Sequence, residues 1–346
     1  MTATHSIAGT QQRLLKVLHV GVANRGVWPL QKCNASTGFQ PAALCDVSAE
    51  ALAQARQISG LGEEAAFADY ETALAHSDVD CVIICAPTVL HVPLAKRAIA
   101  AGLPVLVEKG MAPDWNSAVD LVRTVTQKNA IVAVAQNYRY GGHEKTIRRA
   151  INDPDYEFHV GPVHLITYTE NRVRPIPRTL TYPFASVWDM SCHHFDNLLS
   201  WLGPPMEMTA HSWRASWSAY EHDNNTAAHI SFASGTRVHY LHTHDAARRS
   251  LEVQVHGERG ALFRRDDEIT FSLRPTEQFG SRPVVPVPLE PSGGEADLLH
   301  DFRRYILDGV EPGISARNNL ETMAACEMMV RSITQRRSVR REELEQ

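Results

Sequence analysis

Near residue 141 the spacing of apolar positions along this chain changes character. Before it, five short apolar runs stand apart: Leu14 to Val20, Phe39 to Cys45, Asp80 to Cys85, Leu103 to Lys109 and Ala130 to Ala135. Between them, apolar residues recur at helical spacing over Val27 to Asn34, Ser48 to Ile58, Asp69 to His76, a stretch entered at Ala86 to His91 and stopped at Gly102, and Trp115 to Lys128. Strand and helix alternating at these lengths predict a parallel sheet. The unbroken apolar run at Pro104 to Val107 suits a strand covered on both faces.

Beyond Gly141-Gly142 the period shortens. After a helical stretch from Glu144 to Asn152, strand-like alternation runs over residues 160–173, 206–217, 225–233, 236–244, 250–256 and 260–264, with turns at Ser234-Gly235 and Glu258 to Gly260. Sequential strands joined by short turns predict a large, mostly antiparallel open sheet, one face covered and the other open to association. Glu295 to Leu307 and Asn318 to Ile333 close the chain as helices. The expected fold is α/β, with an N-terminal Rossmann-type domain over residues 1–140 and a second α/β domain over 141–346. The closing helices are expected to pack back on the first domain, and residues 1–13, polar throughout, to be flexible.

Composition narrows the field of functions. The 346 residues are long for one core. A net charge of −5, with arginine runs that sit beside acids (Arg264-Arg265 before Asp266, Asp267 and Glu268), points away from nucleic-acid and membrane-surface binding. The six cysteines form no C-x-x-C, so no zinc ribbon or redox dithiol is signalled. No apolar run approaches ~18 residues and the first residues lack a signal-peptide core, so a soluble, cytoplasmic protein is expected.

Candidate chemistry gathers at strand ends. The first strand runs into Gly21-Val-Ala-Asn-Arg-Gly26, a G-x-A-x-x-G turn that opens a helix. In a dinucleotide-binding turn the first glycine makes the bend, the second position approaches the diphosphate and the third lets helix pack on strand. Ala23 holds the second position here. Asp46 closes the second strand 20 positions after Gly26, placed to accept from ribose hydroxyls and to repel a 2′-phosphate, so NAD is expected ahead of NADP. An aspartate capping the next helix fits the same position. Glu108 and Lys109 end the fourth run, in the crevice where such sheets bind ligands.

The second half contributes one helix of interest, Val187 to Gly203. Asp189, His193 and Asp196 are spaced by four and three, so they share a face. A histidine one turn from a carboxylate suits a general base. A helix-capping Asp189 with a structural His193–Asp196 pair suits the spacing as well. Arg172 and Arg174, near a strand end that should face the cleft, suit an anionic or hydroxylated substrate, although Pro175 and Pro177 equally suggest a surface loop. In His239-x-x-His242-x-His244 only the last two share a strand face, so no metal site is expected.

Taken in order, these elements resemble the Gfo/Idh/MocA family of NAD(P)-dependent sugar and polyol oxidoreductases. The matching features are Gly21 to Gly26, Asp46, Ala86-Pro-Thr-x-x-His91, Glu108-Lys109, Asn137-Tyr-Arg and Asp189-x3-His193-x2-Asp196 followed by Trp201-Leu-Gly203. The resemblance implies a Rossmann domain followed by an α/β domain whose sheet forms a homodimer or homotetramer. It implies Lys109, Asp189 and His193 as the catalytic group: His193 takes a hydroxyl proton, Lys109 holds the reacting oxygen and Asp189 positions substrate and lysine. The implied cofactor contacts are Gly21, Ala23, Asn24, Arg25, Gly26, Asp46, Ala86, Pro87, Thr88, His91, Glu108, Lys109 and Asn137. Arg139, Arg172, Trp188 and Asp196 are the substrate candidates. Two positions depart from the family: Gly110 replaces a common proline, and Pro183 to Trp188 replaces a stretch that often carries a Gly-Gly pair. Bulky Phe184 or Trp188 would suit a larger pocket, for instance for a glycoside, or ordinary core packing. The implied reaction is NAD-dependent oxidation of a sugar, polyol or glycoside hydroxyl. The alternatives are a non-catalytic NAD-binding sensor and redox-assisted glycosidic cleavage with NAD recycled.

Overall fold

A computed structural model describes residues 13–175, 182–277, 280 and 282–345. The expected flexibility of the first residues concerns a segment that, up to residue 12, lies outside the described residues.

Six parallel strands form the first sheet: β1 (Leu15–Val20), β2 (Phe39–Cys45), β3 (Ala66–Phe67), β4 (Cys81–Ile84), β5 (Val105–Val107) and β6 (Val132–Val134). Their order is β3-β2-β1-β4-β5-β6. All residues of β4, β5 and β6 are buried, as strands covered on both faces require. The intervening helices are α1 (Val27–Lys32), α2 (Ala49–Ser59), α3 (Tyr70–His76), α4 (Thr88–Ala100) and α5 (Trp115–Gln127). Three of them start where a side chain accepts from an otherwise unpaired backbone N–H: Ser48 from Ala51, Asp69 from Thr72 and Asp114 from Ser117. Strand order reverses between β1 and β4, so the crevice for a ligand opens beside the turn that follows β1.

Helix α6 (Gly142–Asn152) leads to β7 (Val163–Val173), and α7 (Cys192–Leu202) to β8 (Pro205–Trp213), β9 (Asn225–Phe232), β10 (Arg237–Thr243), β11 (Asp245–Gly257), β12 (Gly260–Arg265), β13 (Glu268–Leu273) and β14 (Val285–Pro286). Helices α8 (Gly294–Asp308) and α9 (Ala316–Gln335) and a short β15 (Val339–Arg340) follow. The nine-stranded sheet has the order β14-β13-β12-β11-β7-β10-β9-β8-β15. It is mixed: β7 lies between β10 and β11, parallel to the first and antiparallel to the second. The expected large, mostly antiparallel sheet is observed, with one parallel pair at β7 and β10. Helix α7 and two strands intervene after β7, so the chain returns beside it in the same direction. It then steps over the end of β7, where Arg174 N–H donates to the His244 carbonyl at 3.0 Å. Inward positions of β7 and β10, among them Ile166, Tyr168, Val238 and Tyr240, are buried under α7, where Phe195 packs on Tyr240 at 5.5 Å.

The closing helices join the halves. Phe302 of α8 stacks on Phe39 of β2 at 5.9 Å, and Leu298 and Leu299 share that core with Leu15 and Val17. Helix α9 packs on α5, α7 and β8. The stretch expected as one helix over 187–203 begins instead as a wider π-helical turn, Val187–Ser191, before α7. Among the described residues no helix is long and apolar enough to cross a membrane.

Candidate active site

The turn after β1 is built for close approach. Gly21 has φ +76°, and a Cβ there would lie 2.6 Å from the Ala86 nitrogen; a Cβ on Gly26 would lie 1.8 Å from the Gly21 carbonyl oxygen. Only glycine fits either position. Ala23, Asn24 and Arg25 form its exposed rim. The turn opens a helix, whose first amides have no intrahelical partner and so favour an anionic group. Asp46 braces it, accepting from Val22 N–H at 2.9 Å and Ser48 N–H at 2.9 Å. Ala86 abuts the same turn just after β4, Pro87 and Thr88 lead from it into α4, and Asn137 lies half-buried beyond β6. Two glycines that seal the bend, an exposed rim and a carboxylate at the second strand's end suit a dinucleotide.

Two expected cofactor contacts have other work. Glu108 is buried, and its Oε1 accepts from Arg25 Nε at 3.0 Å, Arg25 Nη2 at 2.8 Å and Trp28 Nε1 at 2.9 Å, while Oε2 accepts from Lys109 N–H at 2.9 Å. It ties the glycine turn to the end of β5, and Arg25 is held in that tie. His91 is 1% exposed, with its ring nitrogens 2.7 Å from the Gly110 carbonyl and 2.8 Å from that of Ala86. It shapes the crevice from behind and has no nitrogen left for a cofactor.

Across the junction, three residues of the 187–202 segment meet three from the first half. Asp189 accepts from Lys109 Nζ through its carboxylate and, at 2.9 Å, through its backbone carbonyl. The His193 ring stacks on Tyr138 at 4.0 Å with planes 7° apart. Asp196 holds Arg139 in a two-pronged pair at 2.7 and 2.8 Å. The shared face read from the sequence is therefore the face that docks on the ends of β5 and β6. The peptide bond between Lys109 and Gly110 is cis. Gly110 lies against the second domain, where a Cβ would come within 3.2 Å of the Trp188 carbonyl.

Electrostatics separate these groups. Burial alone would lower the Lys109 pKa, but Asp189 outweighs it and holds the ammonium above its ordinary value. His193 is buried, and burial first, then Lys109, pushes its pKa well below 6.5, so the ring is neutral. Its Nδ1 is sealed without a hydrogen-bond partner.

Of the substrate candidates, Asp196 is 0% exposed, with Thr322 of α9 over it at 3.5 Å, and Arg139, half-buried, is bound to it. Trp188 is buried in the core, which favours packing over a pocket wall. Phe184, half-buried against that core, has φ +60°, unusual for a bulky residue. Arg172 is bound to Glu170 at 2.8 Å and donates to the Tyr138 hydroxyl at 3.1 Å. Sequence reasoning gave Tyr138 no role, although it lies inside the Asn137-Tyr-Arg match. It also missed a buried polar chain behind the site: Glu170 lies 2.7 Å from His194 Nε2, whose Nδ1 is 2.7 Å from the Tyr240 hydroxyl, which donates to Ser191 at 2.8 Å. The available signal was Glu170 at an inward position of its strand. Among the described residues no group of three metal-ligating side chains is assembled. A cavity of about 940 Å³ lined by Lys145, Arg148, Asn152 and Trp201 contains none of these groups.

Comparison with known proteins agrees with this layout. A family model described as an oxidoreductase family with an NAD-binding Rossmann fold matches residues 15–136, and a GFO/IDH/MocA C-terminal domain model matches residues 164–263. An inositol 2-dehydrogenase of Rhizobium meliloti (strain 1021) is 25% identical over 274 residues, which is 77% of this chain and 82% of that protein. An oxidoreductase from Agrobacterium radiobacter, solved in complex with NAD+, L-tartaric acid and magnesium, superposes with a TM-score of 0.80 at 16% identity, covering 95% of this chain and 99% of that one. An aldose-aldose oxidoreductase from Caulobacter crescentus, complexed with glycerol, gives 0.80 at 19% identity over 95% and 100% of the two chains. At those identities the two structures show a common fold.

Proposed function

This chain belongs to the GFO/IDH/MocA family of oxidoreductases and carries its NAD-binding domain, and from that premise we propose that it oxidises a secondary hydroxyl of a sugar, polyol or glycoside where its two sheets meet. The observation that carries the reading is the Lys109–Asp189 pair, which spans the junction beside His193. The kinship with an inositol 2-dehydrogenase supports a polyol-like substrate.

Bound NAD supplies the hydride acceptor. The residues of the chain do the rest. The glycine turn would hold the diphosphate, and Asp46 would accept from the ribose while bracing the turn. An ammonium has three protons to donate. Asp189 takes two from Lys109, one at its carboxylate and one at its carbonyl, which leaves one for the substrate oxygen as negative charge develops there. His193 receives the hydroxyl proton. Its Nδ1 is sealed, so Nε2 is the nitrogen available to the substrate, and the neutral ring is in the state a base needs. Tyr138 holds the ring flat against itself and fixes its direction.

Purified protein with NAD and a panel of sugars, polyols and glycosides should form NADH. Lys109→Met and His193→Ala should each still bind NAD and lose most turnover. Full activity in either variant would sink the assignment of that residue. Tight NAD binding with no turnover on any substrate would favour a sensor, and release of free sugar without net NADH would favour glycosidic cleavage.

A further inference from the structure

The charges around the proposed site do not cancel. Lys109 is matched by Asp189, Arg172 by Glu170 and Arg25 by Glu108. Arg174 has no carboxylate partner among the described residues; its Nη2 reaches the Met190 sulfur at 3.6 Å, one residue from Asp189. Nor does the sequence supply an acid nearby, since none occurs between Glu170 and Asp189. Beside Arg174 the chain crosses the end of β7 at His244, backbone to backbone at 3.0 Å. Alternation on the paired strands puts His242 and His244 on the inner face with Glu170 and Arg172. Both imidazoles are buried, at 0% and 2% exposure, and all four ring nitrogens lack a hydrogen-bond partner. Their rings meet edge to face at 4.7 Å. A guanidinium without a carboxylate partner, one residue from the Asp189 that holds Lys109, is free to meet an anionic group of the substrate.

We propose that Arg174 binds a carboxylate on the substrate, so that the preferred substrate is a sugar acid or hydroxylated carboxylic acid rather than a neutral polyol. The inference rests on the dehydrogenase reading of the same site and names its substrate class. Among the described residues Arg174 is a single cation without a carboxylate partner, which matches a carboxylate of charge −1 better than a phosphate ester of nearly twice that charge. The planar fork of arginine also suits a carboxylate held by two parallel hydrogen bonds. Burial, and then Arg174 and Arg172, hold the His244 pKa down at about 4, so it is neutral at working pH. A carboxylate anchored at Arg174 would lie near Met190, next in the chain to the Asp189 that holds Lys109.

The test uses the NAD-loaded full chain and a panel of six-carbon aldonates and uronates, their parent aldoses and the corresponding sugar phosphates, by calorimetry and by NADH formation. At least one acid should bind tenfold or more tightly than its neutral parent. Arg174→Gln should raise the dissociation constant and KM of that acid at least tenfold with a smaller change in kcat, while Arg174→Lys should recover part of the loss. Parents or phosphates bound as tightly as every acid would overturn the subsite, and so would an Arg174→Gln variant, melting like the wild type, that binds the acid unchanged. The two readings fail separately: acid binding lost in Arg174→Gln but never accompanied by NADH leaves the subsite standing and removes the dehydrogenase, whereas neutral sugars oxidised without any preference for acids do the reverse.

Discussion

Two ion pairs join the helix that follows β7 to the ends of the first sheet. Lys109–Asp189 and Arg139–Asp196 share one plan, a cation from the first half and a carboxylate from the second, with the carboxylates seven positions apart. Their surroundings differ. The Asp196 side chain is 1% exposed, held by both prongs of an arginine, and covered by Thr322 of α9. The Asp189 side chain keeps 28% of its surface, and its lysine partner retains an unused proton. A pair whose carboxylate is sealed serves to hold the halves together. A pair with spare valence at the mouth of a crevice can meet a substrate. Residue type does not separate structure from chemistry here; coverage and unused hydrogen-bonding capacity do.

That contrast can be broken by measurement. The largest effect on stability is expected from Asp196→Ala, which strands a buried guanidinium: about 3–5 kcal/mol by urea unfolding, with near-normal kcat in whatever protein stays folded. A loss under about 1 kcal/mol would show that the pair is not sealed. Lys109→Met should do the opposite, lowering kcat by about 10²–10³-fold, or 2.7–4 kcal/mol of barrier, while moving the urea midpoint little. If it unfolds the protein as Asp196→Ala does, the two pairs are alike and the contrast fails.

Acid should reveal the sealed imidazoles next. Burial pushes His19 down to about 3 and His244 to about 4, and holds His193 and His242 well below 6.5. The unfolded chain gains protons below pH 6.5 that the folded chain refuses, so stability falls as pH drops from 6.5 toward 4, by about 2 kcal/mol at pH 5 for each such histidine. A denaturation midpoint unchanged between pH 7.5 and pH 5 would show these rings to be open to solvent. Smallest of all is the expected effect of Lys96→Ala. It removes an exposed pair, Lys96–Asp120 at 2.8 Å, and should shift stability by under about 1 kcal/mol. A larger loss would mean that coverage is not what separates the pairs.

Much of the first half was legible because its rules are local. Strands buried on both faces must be apolar, so β4 and β5 are visible as unbroken runs; a bend at φ +76° beside Ala86 admits only glycine, so Gly21 announces itself. The common face of Asp189, His193 and Asp196 followed from helical spacing and survives even though the segment begins with a π turn. The role of Glu108 was not legible. Its partners Arg25 and Trp28 lie 83 and 80 positions away, and nothing near it in the chain says that it binds the turn instead of the cofactor. The carbonyl partner of His91 at Gly110 was not legible for the same reason, since it is reached only once α4 packs beside β5.

The sequence by itself therefore determined the parallel sheet, the glycine turn, the acid at Asp46 and the side of α7 that turns toward the first half. Each depends on a period or a steric limit within a few residues. Only the tertiary structure decided which charges are used up and which remain free. Arg139, Arg172 and Arg174 are indistinguishable in the chain. Packing of α7, α9 and the crossing at His244 gives the first to Asp196 and the second to Glu170, and leaves the third without a carboxylate among the described residues. Pairing between charges depends on distances that no local pattern encodes, and here the chemistry rests on the charges left over.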